Sequence, residues 1–399
     1  MALDHARHKL SALSQRATGR LPLEGGRSTM QLLLAAVLAA STLVTPQVTG
    51  PFPVGTFNAH LTDTRADPWH PDQRRELMVT VTYPARAKGE EAPFLTPAFA
   101  AATDPIISSP AFLDIPAGTV DWTGTRRQAR TNAPALPGRF PTVLFSPGLQ
   151  SPREFHAGAA DDLASRGYVV VTVSHTYESL VVEFPGGRLV PSEVQDARPE
   201  TMKKAIDARV ADMRFVLGQL PRLHKGADVT RVGIAGHSYG GYTAGETMVH
   251  DRRFDAGINI DGAMEHSGEG PYAPGEIVTK GVDRPFLLFG GDLGERELSH
   301  VDTSLTRSWA DFWPNQRGWK RDVHLDDGAH LGFSDLQWAV PQIDEVTPER
   351  RVELIGTITP RSSVKAQHDY VAAFFDLHLK HRGTTLFDRA RHPGIRLVP

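Results

Sequence analysis

A serine hydroxyl at neutral pH is a weak nucleophile unless a neighbouring base takes its proton. Ser238 stands in residues 231–242, RVGIAGHSYGGY, where a short apolar run ends in Gly236-His237-Ser238-Tyr239-Gly240 and Gly241 follows at once. A G-x-S-x-G between a strand and a helix puts its serine at the tip of a sharp turn. Such a turn strains the serine backbone, so the flanking positions must lack bulk where the chain nearly touches itself. The next helix aims free N–H groups and partial positive charge at the tip, which suits a developing oxyanion. In a chain with 36 glycines the pentapeptide alone carries little weight. The apolar residues 232–235 before it and the helical stretch 243–250 after it carry more.

The base should be a histidine, and position must choose among 17 of them. Where a serine sits on such an elbow, the partners follow in the order acid, then histidine, on loops at the carboxyl ends of strands. Residues 322–332, DVHLDDGAHLG, supply a strand, a polar turn with Gly328, and then His330. His324 falls inside that strand, and His250, His266, His300, His368 and His378 fall in helices or ill-placed loops. The acid must hold the imidazole in one tautomer and stabilise its cation. Asp261 closes the strand 256–260 and Asp292 follows the strand 285–289, so both would reach the same edge of a sheet, and the residues alone leave the two open. An oxyanion needs two N–H donors: the amide of Tyr239, directly after the serine, and a second from the loop 146–150, SPGLQ, where Gly148 permits a close approach and Leu149 carries the amide.

These side chains need a scaffold that gathers them at one edge. Residues 77–83, LMVTVTY, alternate as a half-buried strand does. Residues 142–145 and 168–173 are near-continuous apolar runs, the mark of parallel strands covered on both faces. Helical spacing marks 152–166, 201–220 and a last amphipathic helix through Leu379, and a further helix is expected around 297–312. Strands alternating with helices make an α/β protein with a mainly parallel sheet and helices on both faces. No repeat or linker splits residues 50–399, which are read as one domain. Residues 84–138, rich in proline and in large apolar residues without period, form a long excursion: a lid, a lipid-facing surface, or a segment packed on the body.

Composition narrows the class. The chain has 399 residues, 40% hydrophobic and 22% charged, enough for a sizeable core, and a net charge of −3 that offers nucleic acid no electrostatic hold. Zero cysteines exclude disulfides, thiol nucleophiles, thiolate zinc sites and a lipoprotein anchor. The chemistry sketched above requires no metal or other cofactor. Residues 1–49 read as a leader: a basic segment, then the apolar run 32–40 and small residues 39–41 where a peptidase could cut, so export is expected. The run is too short to span a bilayer. Nothing in the composition addresses oligomeric state.

GPFPVG at 50–55, VTVTYPA at 79–85, FSPGLQSPREFHAGAADDLASRGYVVVTVSH at 145–175, GHSYGG at 236–241, INIDGAM at 258–264 and HLGFSDL at 330–336 together resemble the α/β-hydrolase family. Within it they resemble the platelet-activating-factor acetylhydrolase group and the related actinobacterial lipases and polyester hydrolases. The resemblance implies an α/β-hydrolase fold with Ser238 as nucleophile, His330 as base, Asp261 as acid, and Leu149 and Tyr239 as the two amide donors. The cutinase-like branch carries its acid one strand later, at a position that is Gly294 here, which favours Asp261 over Asp292. Tyr239 replaces the group's usual phenylalanine, and SPGL replaces its frequent SHGL. The implied function is a secreted serine carboxylic-ester hydrolase for short or oxidised acyl chains on phospholipids or small soluble esters, with transient lipid-surface contact. The alternatives are a broader lipase or cutinase-like polyester hydrolase, and a non-catalytic binding protein on the same scaffold.

Overall fold

Residues Val169–Ser174, VVVTVS, are buried at every position. Val169, Val171 and Val173 turn into one apolar core while Val170 turns into another, as the two-residue period of a strand dictates. Phe286 and Leu288 against Leu287 and Phe289 repeat the division. Such strands need covering layers on both sides, and the rest of the chain supplies them.

A computed structural model describes residues 40–399. Its strands in chain order are β1 (Val54–Ala66), β2 (Arg74–Pro84), β3 (Glu91–Pro93), β4 (Arg126–Thr131), β5 (Phe140–Ser146), β6 (Val169–Ser174), β7 (Val181–Phe184), β8 (Arg188–Pro191), β9 (Ala227–His237), β10 (Ala256–Ile260), β11 (Phe286–Leu293), β12 (Arg296–Glu297), β13 (Lys320–Ala329) and β14 (Ile395–Val398). The helices are α1 (Pro97–Ile107), α2 (Ala157–Ser165), α3 (Pro199–Leu223), α4 (Tyr239–His250), α5 (Glu276–Lys280), α6 (Ser308–Phe312), α7 (Leu336–Ala339), α8 (Pro348–Ile355) and α9 (Pro360–Leu379). One twelve-stranded sheet runs β14-β13-β11-β10-β9-β5-β6-β2-β1-β4-β3, with β12 on β11, and β7–β8 form a separate hairpin. The six strands from β13 to β6 are mutually parallel. On one face α3, α4, α5 and α6 pack through Met213, Tyr242, Ile277 and Trp309. On the other, α2 and α9 pack through Leu163, Phe374 and Phe375.

Four expectations need correction. The body of the protein begins before residue 50: Ser41 bridges Val120, Leu43 is buried, and Thr49 bonds Asp162 through both its N–H and its Oγ1. The apolar run proposed as a leader core lies, but for Ala40, outside the described residues. The excursion is not irregular throughout, since it contains β3, α1 and β4, and β4 extends the sheet along β1. Its large side chains Phe94, Leu95, Phe99 and Leu113 are buried with Phe155, Leu336 and Trp338 in a third core, so it packs on the body. Helix α6 covers only the end of the stretch expected as helix. Before it, the Ser299 and Thr306 hydroxyls and the Asp302 carboxylate accept bonds from the Asp302, Ser308 and Ser304 amides, an alternative that draws a backbone away from helix. Finally, α9 does not close the chain. Four residues of β14 pair antiparallel with β13, too short a run to stand out by pattern.

Candidate active site

Strand β9 delivers Ser238 to the carboxyl edge of the sheet and α4 starts immediately after it. Ser238 has φ 56° and ψ −127°, in a region that L-residues avoid. The glycines around it are steric requirements. A Cβ on Gly236 would lie 2.1 Å from the Gly240 carbonyl oxygen, and one on Gly240 would lie 1.8 Å from that of Ser146. The turn is held by the Ser238 N–H, which donates to the Ile260 carbonyl at 2.7 Å.

Asp261, directly beyond β10, also has positive φ, 53°. The Asn259 side chain braces that turn by donating to the Gly262 carbonyl and accepting from the Gly262 N–H. Asp261 Oδ1 accepts from the Gly291 N–H at 2.8 Å, which aims Oδ2 at His330 Nδ1, 2.5 Å away. His330 begins the turn after β13, and its Nε2 lies 3.0 Å from Ser238 Oγ. Hydroxyl, imidazole and carboxylate, separated by 92 and 69 positions along the chain, are thus in one line of hydrogen bonds. Asp292 is elsewhere engaged: Oδ1 meets His324 Nε2 at 2.9 Å and Oδ2 accepts from the Asp327 N–H at 2.6 Å. It steadies the start of the His330 loop without touching the imidazole.

The loop after β5 lies against the serine. A Cβ on Gly148 would come within 3.1 Å of Ser238 Cβ and 3.5 Å of its Oγ, so the backbone just before Leu149 runs close to the serine. The Tyr239 N–H is the first of α4 and, like all first-turn amides, has no partner inside its helix.

A second serine–histidine–aspartate line shows why distances alone do not locate chemistry. Ser146 Oγ is 3.0 Å from His175 Nε2, and His175 Nδ1 is 3.0 Å from Asp212 Oδ2. These three residues are 0%, 1% and 0% exposed and out of reach of any substrate, whereas Ser238 is partly open and the His330 side chain is 21% exposed. Burial lowers His175 to about 4, with the Arg209 charge adding to it, so its imidazole is neutral.

His237 and Arg209 are contributors the motifs do not announce. The buried His237 meets the His330 carbonyl through Nε2 at 2.9 Å and lies under the His330 ring, with centroids 4.7 Å apart. Burial, reinforced by His330 and His156, holds it well below the ordinary histidine range, so it stays neutral and braces His330. Arg209 sits among Ile206, Val210 and Met213 of α3, and a charge within an apolar stripe is the signal that could have singled it out. A hollow of about 790 Å³ along α3, lined by Arg65, Lys203, Lys204 and His266, includes none of Ser238, Asp261 and His330. Among the described residues, two groups of side chains come within metal-ligand spacing, Glu246/His250/Glu276 and Asp292/Glu297/His324. Glu246 already caps α5, Arg396 bridges Glu297 and Asp326, and neither group contacts Ser238.

A parallel strand, a strained serine turn and a covering helix meeting at the carboxyl edge of a doubly covered sheet are the organisation of an α/β-hydrolase. A family model described as "Platelet-activating factor acetylhydrolase, isoform II" matches residues 37–185, and one described as "Prolyl oligopeptidase family" matches residues 203–269. A solved ferulic acid esterase from Streptomyces cinnamoneus is similar with 33% identity and a TM-score of 0.74, covering 90% of this chain and 100% of its own. A probable 1-alkyl-2-acetylglycerophosphocholine esterase of Arthroderma benhamiae is 28% identical over 91% of this chain and 96% of its own length. A platelet-activating factor acetylhydrolase of Cavia porcellus is 29% identical over 54% of this chain and 53% of its own. The chain belongs to the platelet-activating factor acetylhydrolase-like group of the α/β-hydrolases.

Proposed function

We propose that the protein is a serine carboxylic-ester hydrolase for acetyl and other short acyl esters, carried on a phospholipid or a small soluble alcohol. Ser238 Oγ attacks the ester carbonyl while His330 Nε2 takes its proton, and Asp261 holds the imidazole and its cation. The Leu149 and Tyr239 amides receive the tetrahedral oxyanion. His330 then protonates the leaving alcohol, and a water activated by the same imidazole releases the acyl group. The observation that carries this reading is the continuous line from Asp261 to His330 to Ser238, on a serine whose φ of 56° is worth holding only where a hydroxyl must be presented.

The test is an acyl-length series of p-nitrophenyl esters, acetate to palmitate, with wild type beside Ser238→Ala. Turnover should be highest at the short end and vanish in the variant. Unchanged turnover in Ser238→Ala would remove the nucleophile assignment, and a maximum at palmitate would favour a general lipase. The ferulic acid esterase at 33% identity supports a second reading, an ester of a hydroxycinnamic acid; methyl ferulate cleaved faster than p-nitrophenyl acetate would select it. Export belongs to the same proposal, resting on residues 32–41, and N-terminal sequencing of secreted protein tests it. So does transient contact with lipid surfaces, which co-sedimentation with phosphatidylcholine vesicles tests.

A further inference from the structure

The loop that carries Leu149 approaches Ser238 through Gly148 and has little secondary structure of its own, and Gln150 within it has φ 58°, a conformation that must be imposed. What imposes it is ionic and buried. The Arg209 guanidinium, 0% exposed, donates through Nη1 to the Pro147 carbonyl at 2.7 Å and through Nη2 to the Gly148 carbonyl at 3.2 Å. Its Nε donates to Glu178 Oε2 at 2.6 Å, and the Glu178 backbone carbonyl accepts from the Gln150 N–H at 3.0 Å. The Gln150 amide group is tied in turn to the Val194 carbonyl. The residues on both sides of Leu149 are therefore held. Arg209 also lies over the ring of Tyr239, 5.4 Å from its centroid, and the Tyr239 hydroxyl donates to the Met202 carbonyl. Behind this pair stand Arg75 and Asp212, and His175 joins Asp212 to Ser146 at the start of the same loop.

We infer that the Arg209–Glu178 pair is a positioning device for the oxyanion site, fixing the Leu149 amide from one side and the Tyr239 backbone from the other. The inference rests on the proposed roles of Ser238, Leu149 and Tyr239. A planar fork reaches two carbonyls and a carboxylate at once, which a lysine ammonium on a flexible stem does not. Burying this pair brings little net stability by itself, since well-packed apolar residues replace such pairs without loss. Its retention under the loop is explained by geometry.

Three variants with Ser238→Ala alongside test it, on p-nitrophenyl acetate and with phenylboronic acid, whose tetrahedral serine adduct places an oxygen in the same site. In Arg209→Lys, kcat should fall by about 10- to 100-fold, less than the roughly 10²- to 10³-fold of deleting a donor outright. KM should stay close to wild type, and the boronic acid should weaken in step with kcat. Arg209→Met leaves Glu178 buried without its partner and is expected to unfold. Arg209→Met combined with Glu178→Leu removes both charges, so the melting temperature should return while kcat stays low. Recovery of kcat together with stability in the double variant would overturn the inference, as would wild-type kcat and boronic acid affinity in folded Arg209→Lys. If Ser238→Ala retains activity, the esterase reading falls and this inference with it. If Ser238→Ala is inert and folded Arg209→Lys turns over normally, the inference alone falls.

Discussion

Ser238 and Asp261 are the two ends of one hydrogen-bonded line through His330, and both are non-glycine residues with positive φ, 56° and 53°. Backbone strain of this kind persists only where the surroundings over-determine it, here through the Gly236–Gly240 approach and the Asn259 brace. The two candidate acids can be separated at this scale. Asp261→Asn keeps the shape of the side chain but favours the wrong imidazole tautomer, so kcat should fall by about 10³- to 10⁴-fold. Asp292→Asn should leave kcat within about tenfold and lower the melting temperature, because Asp292 serves His324 and the Asp327 amide. Parallel kinetics on the two variants decide the point, and the reverse ranking would transfer the acid role to Asp292. From the residues alone Asp261 and Asp292 were equivalent, since both end neighbouring parallel strands. Which of them faces the imidazole depends on how the turn beyond β10 bends.

Among the elements, the excursion between β2 and β5 shows how far pattern reading goes. Its apolar residues announce burial but not against what, because an irregular segment has no period from which to read a face. In the fold, Phe94 is 3% exposed and its ring lies 5.3 to 5.5 Å from those of Trp338 and Phe155. Arg350 of α8 donates to the carbonyls of Ala111 and Phe112, tying the excursion down from outside. Phe94→Ala should therefore cost about 3–5 kcal/mol of stability while kcat/KM stays near wild type. Denaturant unfolding together with steady-state kinetics checks both halves. A variant that kept its stability and altered its acyl-length preference would return the segment to the role of a lid.

For the whole molecule, imidazoles that burial keeps neutral weaken the fold as the pH falls. Burial lowers His156 to about 3, and burial with the Arg209 charge lowers His175 to about 4. An unfolded histidine takes up its proton near 6.5, so below that pH the unfolded chain binds protons that the native chain refuses. Their contribution is complete above about pH 6.5 and is lost as pH falls toward 4. Asp335 acts in the opposite sense: burial raises it to about 6, so the native state gains a proton first as pH falls. His237, also held low, sides with the two histidines. The melting temperature should accordingly drop between pH 7 and pH 4.5, and a flat profile in differential scanning calorimetry would contradict this balance.

The elbow, the parallel class of the sheet and the expectation of a histidine after the last parallel strand were legible from residues 231–242, 168–173 and 322–332. Each is a local pattern: a steric demand for glycine, a two-residue period without polar breaks, a polar turn after a strand. The pairing of β14 with β13, the packing of Leu43 and Thr45 on the body, the turn that aims Asp261 and not Asp292 at the imidazole, and the Arg209–Glu178 pair were not. Those depend on which surfaces meet across tens to hundreds of positions, and a charge such as Arg209 is only intelligible once its partners Glu178 and the Pro147 carbonyl are adjacent in space. Short-range sterics and periodicity are written along the chain, whereas the desolvated contacts that aim a side chain exist only after the sheet and its helices have closed around them.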